Sequence, residues 1–206
     1  MARTLGAIAF ASLAWAQSPY MALPKNYTLE FENDSVRVSR VRFFPGDKLR
    51  LHSHPSLPTV YIYVTDGGPV RFIHKTPRFT LERPAVKAGS VRFNRNARVE
   101  THEVEYLGDA PAEYLRVELK TVPGPPHRDA RLREDTDFPW EDPQLRIHRG
   151  VPSGLVGPAL VVNPAGHNFT WLDPGQSPSL PGPPDPAGFV VLELKTKPIV
   201  GKVRGR

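Results

Sequence analysis

The stretch Gly46-Asp-Lys-Leu-Arg-Leu-His52-Ser-His54-Pro55 decides the reading of this chain. It follows a Pro45-Gly46 turn signal and reads as a strand. Side chains two apart on a strand share a face, so His52 and His54 present their imidazoles side by side. A third histidine arrives in a later strand-like run, Glu100-Thr-His102-Glu-Val-Glu-Tyr106, which follows Gly89. Three neutral imidazoles converging inside a barrel can hold a divalent transition metal with coordination positions left open.

Gly46, His52 and His54 fall on the first motif of the cupin superfamily, which is Gly, five residues, His-X-His, then a Glu and a Gly. Tyr61-Ile-Tyr-Val-Thr-Asp-Gly67 resembles that motif's closing strand and turn, and Gly89 and His102 fall on the second motif. There are departures. The second motif's Pro-X-Gly is replaced by Arg95-Asn-Ala97, and its closing Asn by Tyr106. The Glu ligand is expected near position 59 or 60, where this chain has Thr59 and Val60. The resemblance implies an all-β fold, a cupin-like jelly-roll β-barrel. It also implies a divalent transition metal (Fe, Zn, Ni, Cu or Mn) on His52, His54 and His102, as in cupin oxygenases of the thiol dioxygenase type, which manage with three ligands. Without a carboxylate, such a site binds more weakly and favours nitrogen-loving metals over Mn. Unperturbed histidines titrate near 6.5, so metal affinity is expected to fall as pH drops from about 7 to about 5.

Tyr61, Tyr63 and Tyr106 are the interior candidates for polar contact near the metal. Tyr61 and Tyr106 are the candidate catalytic residues, Tyr106 because it stands where the family has Asn. Arg95, Asn94 and Asn96 lie on the approach to His102 and are candidates for touching an anionic substrate. His74 reads as a surface or core histidine, and His127, His148 and His167 fall outside the motif.

The 206 residues include 24 Pro and 16 Gly, which suits many short strands joined by turns. No helical apolar stripe is sustained beyond the first sixteen residues. That opening segment carries Arg3, an apolar run and Ala14-Trp-Ala16, the pattern of a secretory signal cleaved after Ala16. The expected location is therefore periplasmic or secreted. The apolar run is too short for a stable membrane span. Cysteine is absent, which excludes disulfides, a thiolate ligand and a cysteine nucleophile. The formal charge is +6, but the arginines alternate with Val and Phe along strands, as on a solvated face, and do not cluster. No nucleic-acid partner is expected; a small-molecule ligand is, and a homodimer through the sheets is possible for this family.

The chain also repeats itself. Phe31-Glu-Asn-Asp-Ser-Val-Arg-Val-Ser-Arg40 aligns with Trp140-Glu-Asp-Pro-Gln-Leu-Arg-Ile-His-Arg149, and Val117-Glu-Leu-Lys-Thr121 with Leu192-Glu-Leu-Lys-Thr196. The second copy is shorter and contains no His-X-His. Matched ends around a lost middle predict a barrel over 24–121, a linker over 122–139, and over 140–198 a degenerate partial repeat packed on the barrel. Val36 and Val38 give way to Val41 and Phe43 with a change of phase, predicting a bulge near Arg40. Two functional readings stand. One is an exported metal-binding protein, a metal-dependent oxygenase or isomerase acting on a small polar molecule. The other is a non-catalytic binding or structural protein whose site is degenerate and metal-free.

Overall fold

The computed structural model describes residues 17–75, 77–95, 99–122, 140–177 and 188–199. The expected signal segment and nearly all of the expected linker lie outside these residues. A single helical turn, α1 (Pro19–Ala22), precedes strands β1 (Tyr27–Glu32), β2 (Val36–Phe43), β3 (Lys48–His54), β4 (Thr59–Tyr63), β5 (Val70–Lys75), β6 (Arg78–Arg83), β7 (Val91–Asn94), β8 (Glu100–Tyr106) and β9 (Ala112–Leu119). After the linker come β10 (Trp140–Glu141), β11 (Leu145–Arg149), β12 (Ala159–Asn163), β13 (Asn168–Leu172) and β14 (Val190–Leu194). They form three antiparallel sheets, ordered β1-β2-β9-β4-β7, β3-β8-β5-β6 and β10-β11-β14-β12-β13.

The first two sheets close on each other as the two faces of a jelly roll. Tyr27, Val41, Phe43 and Tyr114 of one join Leu49, Val104 and Tyr106 of the other in a common core. The third sheet packs on the opposite face of the first. There Val36, Val38, Val60, Ile62, Val117 and Leu119 meet Leu145, Ile147, Leu160, Val162, Leu192 and Leu194. The first sheet is thus the middle layer of three, buried on both sides, and a homodimer through its outer face has no surface left to use.

This layering accounts for two departures from the sequence reading. No bulge lies at Arg40, because β2 pairs with β9 residue for residue from Val36↔Leu119 to Phe43↔Ala112. The apparent change of phase arises because the first half of β2 sends its valines to the outer core and the second half sends Val41 and Phe43 into the barrel. Two of the alternating arginines are likewise not on a solvated face, while Arg42 and Arg71 stay partly exposed. Arg40 is buried between the layers, where Glu30 and Glu113 pair with it, and Arg116 is buried inside the barrel. A charge removed from water needs such partners.

The irregular registers fall in β1, between Leu29 and Phe31, and in β3, between Leu49 and His52. The second one matters for the site. Leu49 faces Val104 and His52 faces His102, so two residues three apart both point inward, which an unbroken strand does not allow.

The repeat seen in the sequence has a counterpart in the sheets. In the first sheet β2 is flanked by β1 and β9, and β9 by β2 and β4; in the third, β11 and β14 take the same places beside β10 and β12. Asn33 Oδ1 accepts from the amides of Ser35 and Val36, and Asp142 Oδ1 accepts from those of Gln144 and Leu145. Leu119 N donates to Pro58 O as Leu194 N donates to Pro158 O. Among the described residues, the second unit has no counterpart of the histidine-bearing sheet.

Candidate metal centre

His52 and His54 come from β3 and His102 from β8, with His52 directly opposite His102. All three are buried, and one nitrogen from each lies within 4.8 Å of the others. The ring centroids are 4.9 Å apart for His52–His54, 4.8 Å for His52–His102 and 5.3 Å for His54–His102. The β3 irregularity supplies the second support. Arg50 lies within it, and its carbonyl accepts a hydrogen bond from His52 Nδ1 at 2.9 Å. That tautomer leaves the Nε2 lone pair as an acceptor, and the Tyr27 hydroxyl donates to it at 3.4 Å.

Burial sets the charge of the site. It pulls the His52 pKa down to about 4 and those of His54 and His102 well below 6.5, with nearby positive charge adding to the effect. The three rings are neutral at pH 7, as metal ligands must be. His54 Nδ1 and both nitrogens of His102 have no hydrogen-bond partner among the described residues. Buried polar atoms without partners are costly, and here they point into one small volume. A divalent cation with a preference for nitrogen fits this donor set, because each ring offers it one nitrogen and those of His54 and His102 include atoms without partners.

The family's Glu position is filled by Thr59, which faces the interior and is 1% exposed; its hydroxyl donates to Leu57 O at 3.0 Å. Glu100 lies two residues before His102 on the same face, and its carboxylate accepts from Asn94 Nδ2 at 2.8 Å and lies 3.8 Å from Arg116. Arg116 Nε also donates to Glu118 at 3.1 Å, and its Nη1 donates to the Tyr61 hydroxyl at 2.9 Å. Burial alone would weaken the Arg116 charge, but Tyr61, Glu118 and Glu100 more than offset it and hold the guanidinium ionised.

A cavity of about 50 Å³ opens beside the histidines, with His54, His102, Tyr61, Tyr63 and Arg116 in its wall. Tyr106 also lines it, but its hydroxyl is engaged: it donates to Ala110 O at 2.6 Å and accepts from Gly68 N at 3.0 Å. Tyr106 therefore pins two loops where Gly68 and Gly108 touch so closely that a Cβ on Gly68 would come 2.3 Å from the Gly108 Cα. Arg95 does not reach the cavity as an anion contact; it pairs with buried Asp142 of the second unit. Asn96 lies outside the described residues, as does His127. His148 bonds Glu193 in the third sheet at 3.0 Å, and His167 sits in a turn with φ 52°.

His74 was not recruited from sequence, yet it lines the same cavity with its ring 5.2 Å from that of His102. It faces His102 because β5 pairs with β8, a long-range pairing that leaves no local trace. Its other face stacks on Phe79 at 4.2 Å.

No protein-family model matches the chain, and neither does any curated protein. Solved structures do. A cupin domain from Bordetella pertussis is 22% identical, with 46% of this chain and 91% of that one covered and a TM-score of 0.39. A predicted oxalate decarboxylase from Thermotoga maritima is also 22% identical, over 45% and 77% of the two chains, with a TM-score of 0.32. A double-stranded β-helix protein from Klebsiella pneumoniae is 16% identical over 46% and 76%, with a TM-score of 0.34. At these identities the likeness concerns the fold alone. The two-sheet barrel holds its three histidines, from β3 and β8, on the inside.

Proposed function

We propose that this chain is a cupin-type protein that binds one divalent transition metal on His52, His54 and His102 and uses it on a small polar molecule, as a metal-dependent oxygenase or isomerase. The observation that carries the reading is the convergence of three buried, neutral imidazoles, with His54 Nδ1 and both nitrogens of His102 lacking partners. Bound there, the metal would supply Lewis acidity and an open position for a ligand. The chain's own residues do the rest. His52 is oriented through Arg50 O, Tyr27 stands over His52 and His54 with ring centroids 5.5 and 5.7 Å away, and the apolar wall of Phe72 and Tyr114 limits water. Tyr61, protonated because burial raises its pKa, offers a hydroxyl held by Arg116.

The test is the metal content of protein purified without added metal, before and after chelation and reloading with Zn(II) or Fe(II). About one equivalent supports the reading. None, even on reloading, leaves the metal-free binding module. We also propose export, on the strength of Arg3, the apolar run and Ala14-Trp-Ala16. Mass spectrometry of protein from an exporting host should find a mature chain beginning at Gln17; an intact leader would overturn it.

A further inference from the structure

We propose that the cavity takes a small organic carboxylate, its oxyanion seated on a wall formed by Arg83, Arg92 and Arg116 and its other end turned toward His54 and His102. The orientation rests on the metal-binding reading above; the anion seat does not.

The chain contains its own control. Aligning the first sheet on the third through their shared strand order pairs Thr59 with Ala159, Tyr61 with Val161, Arg92 with Thr170, Asn94 with Leu172 and Arg116 with Val191. On this inward face Glu118 keeps a buried counterpart in Glu193, whereas Tyr61 and Arg116 are replaced by the aliphatic Val161 and Val191. On the opposite face both sheets are apolar, Val60 and Ile62 matching Leu160 and Val162. The sheet therefore forms with valines at the positions of Tyr61 and Arg116, and the buried guanidinium of the first copy is an addition on the cavity wall that the strand pairing itself does not require.

The charge balance points to the ligand's class. Three arginines line the cavity against one lining carboxylate, Glu100; Glu100 is shared between Asn94 and Arg116, and Glu118 behind the wall pairs with Arg116, which leaves the lining net positive. Arg83 stands at the end of β6, a strand otherwise exposed, and turns toward the cavity with its guanidinium 5.6 Å from the Phe72 ring. It has no carboxylate partner among the described residues. Burial and the neighbouring Arg92 both disfavour its charge, a cost that a bound anion removes. Tyr61 accepts from Arg116, so its own proton is available for a ligand oxygen. A carboxylate gives planar guanidinium groups two acceptors each.

The test uses propionate and its neutral isostere propionamide on the full chain, titrated by protein-observed NMR in the chelated and zinc-loaded forms. Propionate should bind at least tenfold more tightly than propionamide. Arg83→Gln should weaken propionate at least tenfold while leaving zinc stoichiometry and melting temperature unchanged, and Arg83→Lys should keep part of the affinity. Equal binding of the two isosteres, or an Arg83→Gln protein that binds propionate as the parent does, overturns the proposal. So does inorganic phosphate that competes more strongly than propionate. Propionate binding without any zinc binding leaves the anion seat standing and removes the metal reading; zinc binding without propionate binding does the reverse.

Discussion

Lys120 and Lys195 make the same pair of bonds in two different sheets. Lys120 Nζ donates to Glu32 and to Asn33 O, and Lys195 Nζ donates to Glu141 and to Asp142 O. Their amides match as well, Lys120 N binding Ser35 O and Lys195 N binding Gln144 O. Such agreement in side-chain and main-chain detail matches the third sheet, β10 to β14, to the first, against which it lies through equivalent faces.

That relation predicts strong coupling between the layers. Leu192 is fully buried against the first sheet, and its β9 counterpart is Val117. Leu192→Ala should cost about 2–5 kcal/mol, the usual range for a core leucine. The loss should appear in one cooperative urea transition, monitored both by Trp fluorescence and by release of bound zinc. Two separated transitions would mean that the layers fold independently.

His52→Ala with His54→Ala should abolish metal binding, from about one equivalent to under a tenth, while the chelated variant keeps its far-UV circular dichroism. The apolar cores on either side of the first sheet remain intact, and of the removed rings His54 carries an unpaired nitrogen. Retained stoichiometric metal in the double variant would rule out these ligands.

Restoring the missing carboxylate now has one address. Thr59 faces the barrel, whereas Val60 is fully buried in the outer core against the third sheet. Thr59→Glu should tighten zinc or manganese binding about tenfold or more, about 1.4 kcal/mol. Val60→Glu should instead destabilise the fold by several kcal/mol, since it buries a charge among aliphatic side chains. Calorimetric metal titration and urea melts of both variants separate the two outcomes.

Acid should act on the fold before it acts on the site. In the metal-free protein burial holds His52 at about 4 and His54, His102 and His74 below 6.5, while the unfolded chain binds these protons near 6.5. Below that value the unfolded state carries more protons, so stability is full above about 6.5 and falls as pH drops toward 4, by up to about 1.4 kcal/mol per pH unit for each buried histidine. The native His52 ring, held at about 4, stays neutral down to about pH 5, and burial shifts His54 and His102 in the same direction. Metal affinity for the folded protein should therefore change little between pH 7 and 5, in place of the decline expected for unperturbed histidines. Urea melts of chelated protein at pH 7, 6 and 5 check the first statement; a flat profile would show that the rings are solvated.

What the sequence disclosed was whatever obeys a local period. His52 and His54 lie two apart on a strand, and the paired framing segments matched by simple alignment. What it concealed was set by neighbours distant in the chain. The middle sheet is covered on both faces, so the alternation along β2 and β9 no longer separates inside from outside, and Arg116 passed for a solvated residue. His74 meets His102 only through the β5–β8 pairing. Arg95 looked poised at the site because Asp142, which captures it, belongs to the other copy.

A sandwich made by two subunits comes apart on dilution, but this one is tethered. Because both renderings of the sheet lie on one polypeptide, the local concentration of the cover is fixed by the linker and not by the amount of protein present. The histidine barrel therefore keeps its backing at any dilution.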